Sequence, residues 1–558
     1  MPKMTGSKFM ADMLQAYGVT HVFVAPAILR QALMEMDLIG IKRVVTHGEK
    51  AAAYMADGYA RASNRPGVCM AQSVGAANLA AGLQDAYLGL APVVALTGHK
   101  RHDEQYRNAY QEVEHSKPFA SVTKFSAVVD DVEQLPRLLR QAFREATTGA
   151  TGPVHLDIQG MAGDVVTEAE SDMELILEDV FTRRPAFRPE ADPESVRQAA
   201  RALSSAQRPV IVAGGGVTAS QAQQEVVELA EMLSIPVATS LNAKGTILDD
   251  HPLAVGVVGS YSRWCANRVV SEADLVLFIG SHTGSQVTNE WKVPAPGTKV
   301  VQIDIDPAEL GRSYPTQVAL HGDAKATTRR LIEALEPIGS RGEWVARAQQ
   351  LVREWREDVA PRANSEAVPI IPERLCTEIT KFLPSDAMLV ADTGHAGIWT
   401  GSMVDFTHPG QGYIRCAGSL GWGLSGAMGA KCAWPDRPVL CFSGDGGFWY
   451  HISELETAVR NNINVVTVVN NNSALSQDSR GDLRYYEGVT GGDPDALWRF
   501  TDVNFAKVAE SIGCFGIRVE RPEDIQSALE QAFASGRPAV VDVVTDPHDS
   551  LAPVPWSP

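Results

Sequence analysis

The chain has 558 residues, 45% hydrophobic and 21% charged, enough for several domains with ordinary apolar cores. A formal net charge of −18 argues against nucleic acid as a main partner but leaves room for an anionic small molecule in a locally positive site. Seven scattered cysteines without a CxxC point to buried thiols in a reducing compartment. No apolar run reaches about 18 residues, and MPKMTGSKFMADML has no signal-type hydrophobic region. The expectation is a soluble cytoplasmic protein with no membrane partner.

TGSKFMADMLQAYG reads as a capped amphipathic helix ended by Gly18, followed by the short strand VTHVFVAP. RVVTH runs into the Ala-rich helix EKAAAYMADGYARAS, with Glu49 at the junction. GVCMAQS and PVVALTG are strands on either side of the helix VGAANLAAGLQDAYLG, and PVHLDIQ is the last strand of this unit. RRPAFRPEADPES, residues 183–195, is a linker candidate. A second unit begins at PVIVAGGGV, contains IPVATS, DLVLFIGS and KVVQIDIDP, and ends near Leu335. The charged stretch 337–369, bounded by prolines, is a second linker. The third unit includes AMLVADTG, PVLCFSGDGG, NVVTVVNNN and PAVVDVVTDP. Strand–helix alternation of this kind predicts an α/β protein of three doubly wound parallel-sheet domains, at residues 1–182, 190–336 and 368–548.

Within the third unit, VLCFS ends at Gly444-Asp445-Gly446-Gly447 and VVTVV ends at Asn470-Asn471-Asn472. The pattern places Asp445 and Asn472, 27 positions apart, at the carboxyl ends of neighbouring parallel strands, where open sheets bind ligands. A carboxylate, an amide oxygen and a nearby backbone carbonyl are hard oxygen ligands, suited to octahedral Mg²⁺ that also holds a diphosphate. Taken alone, the same residues fit turns at the strand ends of any doubly wound domain.

The stretch 444–472 resembles the thiamine-diphosphate (ThDP) motif of the acetolactate synthase, pyruvate decarboxylase and 2-hydroxyacyl-CoA lyase superfamily. The resemblance implies that Asp445, Asn472 and the carbonyl of Ala474 hold Mg²⁺, with Gly444, Gly446 and Gly447 against the cofactor. THGEKAAAYMADGYARAS resembles the signature around the family's cofactor-activating glutamate, so Glu49 is implied to hydrogen-bond N1′ of the aminopyrimidine. The residues themselves also fit a helix-terminal Glu on the dipole. One departure is Gly48, where acetolactate synthase-like sequences often carry His; His47 is one position earlier. CAGSLGWGLSGAMGAK resembles the glycine-rich segment beneath the bent cofactor, implying Gly418 as carbonyl acceptor for the 4′-amino group and Leu420 as the wedge between the rings. ADTGHAGIW implies Gly394 and His395 on the diphosphate. AYQEVEHSKPFASVTKFSAVV is similar to the family pattern FQE…TKFS, which implies that Gln111 reaches the substrate, although an exposed polar residue fits it equally. His99, His102 and His115 lie nearby without a pattern that assigns them a role.

In the middle unit, AGGGVTAS and IDIDP suggest a nucleotide-approach loop with Asp304 or Asp306 on a ribose. Acetolactate synthase-like enzymes bind FAD here through a segment like GARFDDRV, but this chain has GSHTGSQV at 280–287 and GSYSRWCAN at 259–267. FAD is therefore not expected, and the ADP portion of a CoA substrate, or nothing, is expected in its place. TKFS and the absent flavin residues favour a 2-hydroxyacyl-CoA lyase-like activity, giving a ketone or aldehyde plus formyl-CoA. The alternative is an acetolactate synthase-like carboligase or a 2-keto acid decarboxylase. Intact Glu49, Asp445 and Asn472 argue against a non-catalytic subunit, and 473–500 is expected to cover the site without a readable code. The resemblance implies a small-molecule substrate and a homodimer or homotetramer, with each cofactor shared between the first domain of one chain and the third of its partner.

Overall fold

A computed structural model of the chain describes residues 3–336, 341–477, 479–489, 491–548 and 551–558. It contains three six-stranded sheets, parallel throughout, in the expected order along the chain. The first holds β1 (His21–Val24), β2 (Lys42–Val45), β3 (Gly67–Ala71), β4 (Val93–His99), β5 (Phe125–Val129) and β6 (Val154–Gln159). The second holds β7 (Pro209–Ala213), β8 (Val237–Thr239), β9 (Ala254–Val257), β10 (Leu275–Ile279), β11 (Lys299–Asp304) and β12 (Val318–His321). The third holds β13 (Met388–Ala391), β14 (Gly412–Arg415), β15 (Val439–Gly444), β16 (Val466–Asn471), β17 (Phe515–Val519) and β18 (Ala539–Val544).

The outer two sheets share one strand order, β2-β1-β3-β4-β6-β5 and β14-β13-β15-β16-β18-β17, while the middle sheet runs β9-β8-β7-β10-β11-β12. Central strands such as β3, β4 and β6 are buried along their whole length, because helices cover both faces of a parallel sheet. The five strands that the apolar pattern does not single out are β5, β9, β12, β14 and β17, and all five are edge strands. A short antiparallel pair, Lys3–Thr5 with Glu170–Asp172, closes the first domain. The second linker contains the long helix Gly342–Ala363, whose Trp344, Leu351 and Trp355 pack on the middle domain.

The first and third domains join where α1 (Glu49–Ser63), which packs beside α2 (Gly75–Leu88), crosses α4 (Trp422–Ala433); α3 (His395–Met403) packs on β15 within the third domain. Gly58 faces the Gly426 carbonyl there and Gly429 faces the Met55 carbonyl, leaving no room for a Cβ at either glycine. One continuous apolar core, including Tyr54, Met55, Trp422 and Met428, crosses that seam. All seven cysteines are buried and unpaired, as their dispersal suggested. Among the described residues, no helix is long and apolar enough to cross a membrane.

Burial holds three histidines neutral. His21 is lowered from 6.5 to about 4, His155 to about 3 and His451 to about 4, in each case chiefly by loss of solvent. The unfolded chain takes up these protons near 6.5 and the folded chain does not. Stability is therefore intact above the unfolded value and is lost as pH falls from about 6.5 toward about 4. Thermal denaturation across that range should show a falling Tm; a flat Tm down to about pH 5 would contradict the neutral, buried assignment.

Candidate functional site

In the third sheet the chain moves from β13 outward to β14, then returns to the other side of β13 for β15. That reversal makes a switch point between β13 and β15, and the crevice outside their carboxyl ends is where an open sheet takes a ligand. A cavity of about 460 Å³ lies there. Every third-domain residue that the sequence singled out lines it: Gly394, His395, Gly418, Leu420, Gly444, Asp445, Gly446, Gly447, Asn472 and Ala474.

Asp445 follows directly on β15. Its side chain is buried, and Oδ2 accepts a hydrogen bond from the Ala474 N–H at 2.9 Å. Burial pushes the carboxyl up to about 7, against backbone hydrogen bonds led by that of Ala474. Such a group gains most from a cation beside it. Asn472 donates Nδ2 to Ser476 Oγ at 3.0 Å, which leaves its Oδ1 as acceptor. Asn470, two positions earlier on the same face of β16, also lines the cavity, and its buried Oδ1 has no hydrogen-bond partner among the described residues. Asn471 points the other way, to Asp542 and the Val503 carbonyl, so the three asparagines divide by strand alternation. Among the described residues no group of three or more His, Cys, Asp or Glu could hold a metal, whereas one carboxylate with amide and carbonyl oxygens fits an ion that keeps waters and a diphosphate.

The anion side of the cavity is built by backbone. Gly394, at φ +66°, turns the chain so that α3 begins at the cavity with the N-terminal end of its backbone dipole. His395 Nδ1 is 3.1 Å from Ser476 Oγ. Gly418 and Gly444 face open space, and a Cβ at either meets nothing within 4 Å. They form a cradle with room for a bulky ligand. Gly444→Val should therefore leave stability within about 0.5 kcal/mol while weakening ThDP binding about tenfold or more. Unchanged affinity by calorimetric titration would remove Gly444 from the cradle. Residues 498–500 strap the ligand loop from outside: Leu475 N–H donates to the Trp498 carbonyl at 2.8 Å, and Phe500 N–H to the Ser473 carbonyl at 2.7 Å.

Glu49 and Gln111 lie elsewhere. Neither lines the cavity of its own chain. Glu49 opens α1 behind the extended cap Gly48, presses one oxygen against Gly75 and accepts from Asn78 Nδ2 at 3.1 Å. The loop before Gly75 carries Gln72, whose Nε2 donates to Gln111 Oε1 at 2.7 Å. Gln111 has φ +59°, and its Nε2 reaches Tyr110 Oη at 3.1 Å. The first domain thus collects Glu49, Gln72, Asn78 and Gln111 around one loop, beside the exposed side chains of Val74, Tyr106 and Tyr110. His47 pairs with Glu456 at 2.8 Å on the surface and does not stand in for a residue at position 48. His115 is fully enclosed, held between Asp157 and the Ser73 carbonyl; His99 is nearly so, and His102 sits at the surface by Asp130.

A second cavity, of about 320 Å³, lies where the middle domain meets the other two. Gly215, Gly216, residues 280–284 and Asp304 line it, and Asp306 does not. Asp304 is buried and its carboxyl is raised by loss of solvent. Arg184 from the linker and Arg415 from β14 reach the same cavity. A search for arginines within 280–287 could not see them, because they come from other domains. Tyr261 and Gln286 line both cavities, and Gln477 Nε2 donates to Tyr261 Oη at 3.2 Å across the wall. Sequence reasoning also missed Asn470, Ser476 and Asp392; only the neighbouring Asn-Asn repeat signalled the first.

Fold and site together describe a three-domain α/β protein with a cavity at the switch point of its third sheet, lined by residues that fit a diphosphate cofactor. Family comparison agrees: residues 4–118 match the thiamine pyrophosphate enzyme N-terminal TPP binding domain, 196–331 the central domain and 392–543 the C-terminal TPP binding domain. The chain is 34% identical over 574 residues to the probable acetolactate synthase large subunit of Methanocaldococcus jannaschii, covering 99% of this chain and 94% of that one. It is 30% identical over 557 residues to the Escherichia coli K12 acetolactate synthase isozyme 1 large subunit, covering 99% and 96%, and 31% identical over 569 residues to the isozyme 2 large subunit, covering 99% and 97%. The chain belongs to the thiamine pyrophosphate enzyme family, in its acetolactate synthase-like group, and is a ThDP-dependent enzyme of carbon–carbon bond chemistry.

Proposed function

We propose that the protein is a carboligase of the acetolactate synthase type, releasing CO₂ from one 2-keto acid and joining the remaining acyl unit to the carbonyl of a second. The observation that carries this reading is end-to-end similarity to three acetolactate synthase large subunits over 99% of the chain. It favours the alternative over the 2-hydroxyacyl-CoA lyase reading, which rested on TKFS and the missing flavin arginines. When bound, ThDP would supply a nucleophilic carbon for a carbonyl and a cationic ring as the sink for the electron pair of the broken carbon–carbon bond.

The chain's residues prepare that chemistry. Asp445, Asn472 and the Ala474 carbonyl would hold Mg²⁺. Gly394, His395 and the α3 N-terminus would face the diphosphate. The Gly418 carbonyl would accept from the 4′-amino group, with Leu420 beneath the rings. Glu49 would hold a proton at N1′, and Gln111, fixed by Gln72, would face the substrate. Glu49 lies outside its own chain's cavity and beside exposed Val74, Tyr106 and Tyr110, so the complete site is read as shared between two chains of a homodimer. The partner is a small molecule, with no role for nucleic acid.

The middle cavity is read as a site for an ADP-bearing group held by Asp304, without flavin, since 280–287 lacks the expected arginines. The purified protein should then lack the yellow absorption of FAD, and stoichiometric flavin would overturn this part. Incubation with pyruvate, ThDP and Mg²⁺ should give acetolactate. Acetaldehyde as the main product would favour a decarboxylase, and turnover confined to 2-hydroxyacyl-CoA thioesters would restore the lyase reading.

A further inference from the structure

The segment 417–423 carries Gly418 and Leu420; its residues 417–421 lie between β14 and α4, and 422–423 open α4. Its backbone N–H groups are gripped by two fully or almost fully buried carboxylates. Asp85, near the end of α2 in the first domain, accepts from Ala417 N at 2.7 Å through Oδ1, and from Gly418 N at 3.2 Å and Ser419 N at 3.0 Å through Oδ2. Asp392, just after β13, accepts from Gly421 N at 3.1 Å and Gly423 N at 2.9 Å. Leu420 lies between the two grips. Arg61 bridges Asp85 at 3.0 Å and Asp57 at 2.7 Å and donates to the Arg415 carbonyl just before the segment. Asp57 in turn accepts from Trp422 Nε1 at 2.8 Å. The cluster thus holds the segment at both ends, and Arg61 pairs with two of its buried carboxylates.

We propose that Asp85 is a positioning residue for the cofactor rings: from the first domain, it fixes the third-domain segment that presents the Gly418 carbonyl and Leu420 to them. This rests on the reading of Gly418 and Leu420 as ring contacts. Asp85 acts on its own chain's cavity, unlike Glu49, although both belong to one domain. The start of α2 packs on Glu49, and Asp85 is ten residues further along, about 15 Å up the helix axis. A carboxylate offers acceptors on both oxygens to three converging N–H groups; an amide of the same shape offers one oxygen and sets an NH₂ against the remaining donors. The diphosphate end is held by separate groups, so loosening the segment should misplace the rings without releasing the cofactor.

The test uses the full-length enzyme and Asp85→Asn. In the apo protein, hydrogen exchange of peptides spanning 416–421 should speed up about tenfold or more, with peptides over 391–396 and 444–448 unchanged. In the holoenzyme, ThDP affinity should persist while C2 proton exchange of bound ThDP falls about 10–100-fold. Unchanged exchange at 416–421, or faster exchange there with wild-type C2 exchange, would overturn the proposal. If Asp85→Asn folds poorly, wild-type apo protein decides: the amides of 417–419 should exchange as slowly as those of β15, and rapid exchange would overturn the clamp. Failure of wild-type protein to bind ThDP would instead sink the cofactor-site reading, and the apo measurements would still judge the clamp.

Discussion

Glu49→Gln should keep its ThDP and lose its capacity to activate it. The variant retains length, shape and the hydrogen bond from Asn78, because an amide oxygen can replace the carboxylate oxygen at that contact. It cannot hold a proton at N1′ as a carboxylate does. C2 proton exchange of the bound cofactor should fall about 10²–10⁴-fold, the range for a removed general acid–base group, and carboligation should fall with it. Gly75 leaves room for the Glu49 side chain, since a Cβ there would press on the carboxylate. Calorimetric titration should show ThDP still binding. Wild-type C2 exchange in this variant would end the activating role of Glu49.

Asp445→Ala should act at the opposite end of the cofactor. The wild-type carboxyl is buried, and burial, opposed by backbone hydrogen bonds, pushes it up to about 7, so a cation beside it would favour the ionised form. Removing it takes away the one carboxylate of the proposed Mg²⁺ site, and the Ala474 N–H loses its acceptor. Mg²⁺ and ThDP should be lost together, with ThDP affinity down about 100-fold or more, since the metal carries most of the diphosphate's charge compensation. Retention of full ThDP affinity would show that the metal, if any, is held elsewhere. Unlike Gly444→Val, this substitution should also alter stability, because it removes a buried carboxylate.

The third domain was the most legible part of the chain. GDGG and NNN follow long apolar strands, so local pattern alone puts Asp445 and Asn472 at adjacent strand ends, and β15 and β16 are indeed neighbours. Edge strands were hard to read for the converse reason: β5 alternates in burial and β14 and β17 each carry an arginine, since a strand with one free edge has less to hide. Asn470 was missed because a run of three asparagines does not say which ones face the crevice; strand alternation decides, and it shows only in the folded sheet. Asp85, Arg184 and Arg415 were missed because each works across a domain boundary, where one sequence offers no spacing to read. Glu49 was legible only through the resemblance. Its local pattern fits an ordinary helix start, and it lines neither of the two cavities described.

Within one chain, Asp445 lines the cavity of the third sheet and Glu49 does not. The measurement that bears on this split most directly mixes inactive Glu49→Gln and Asp445→Ala chains and follows activity after subunit exchange. In a dimer with shared sites, a mixed pair carries both defects in one site and none in the other. Random mixing of equal amounts should therefore restore about a quarter of wild-type activity. No recovery, with exchange confirmed by native mass spectrometry, would mean that Glu49 and Asp445 serve one cofactor from within a single chain.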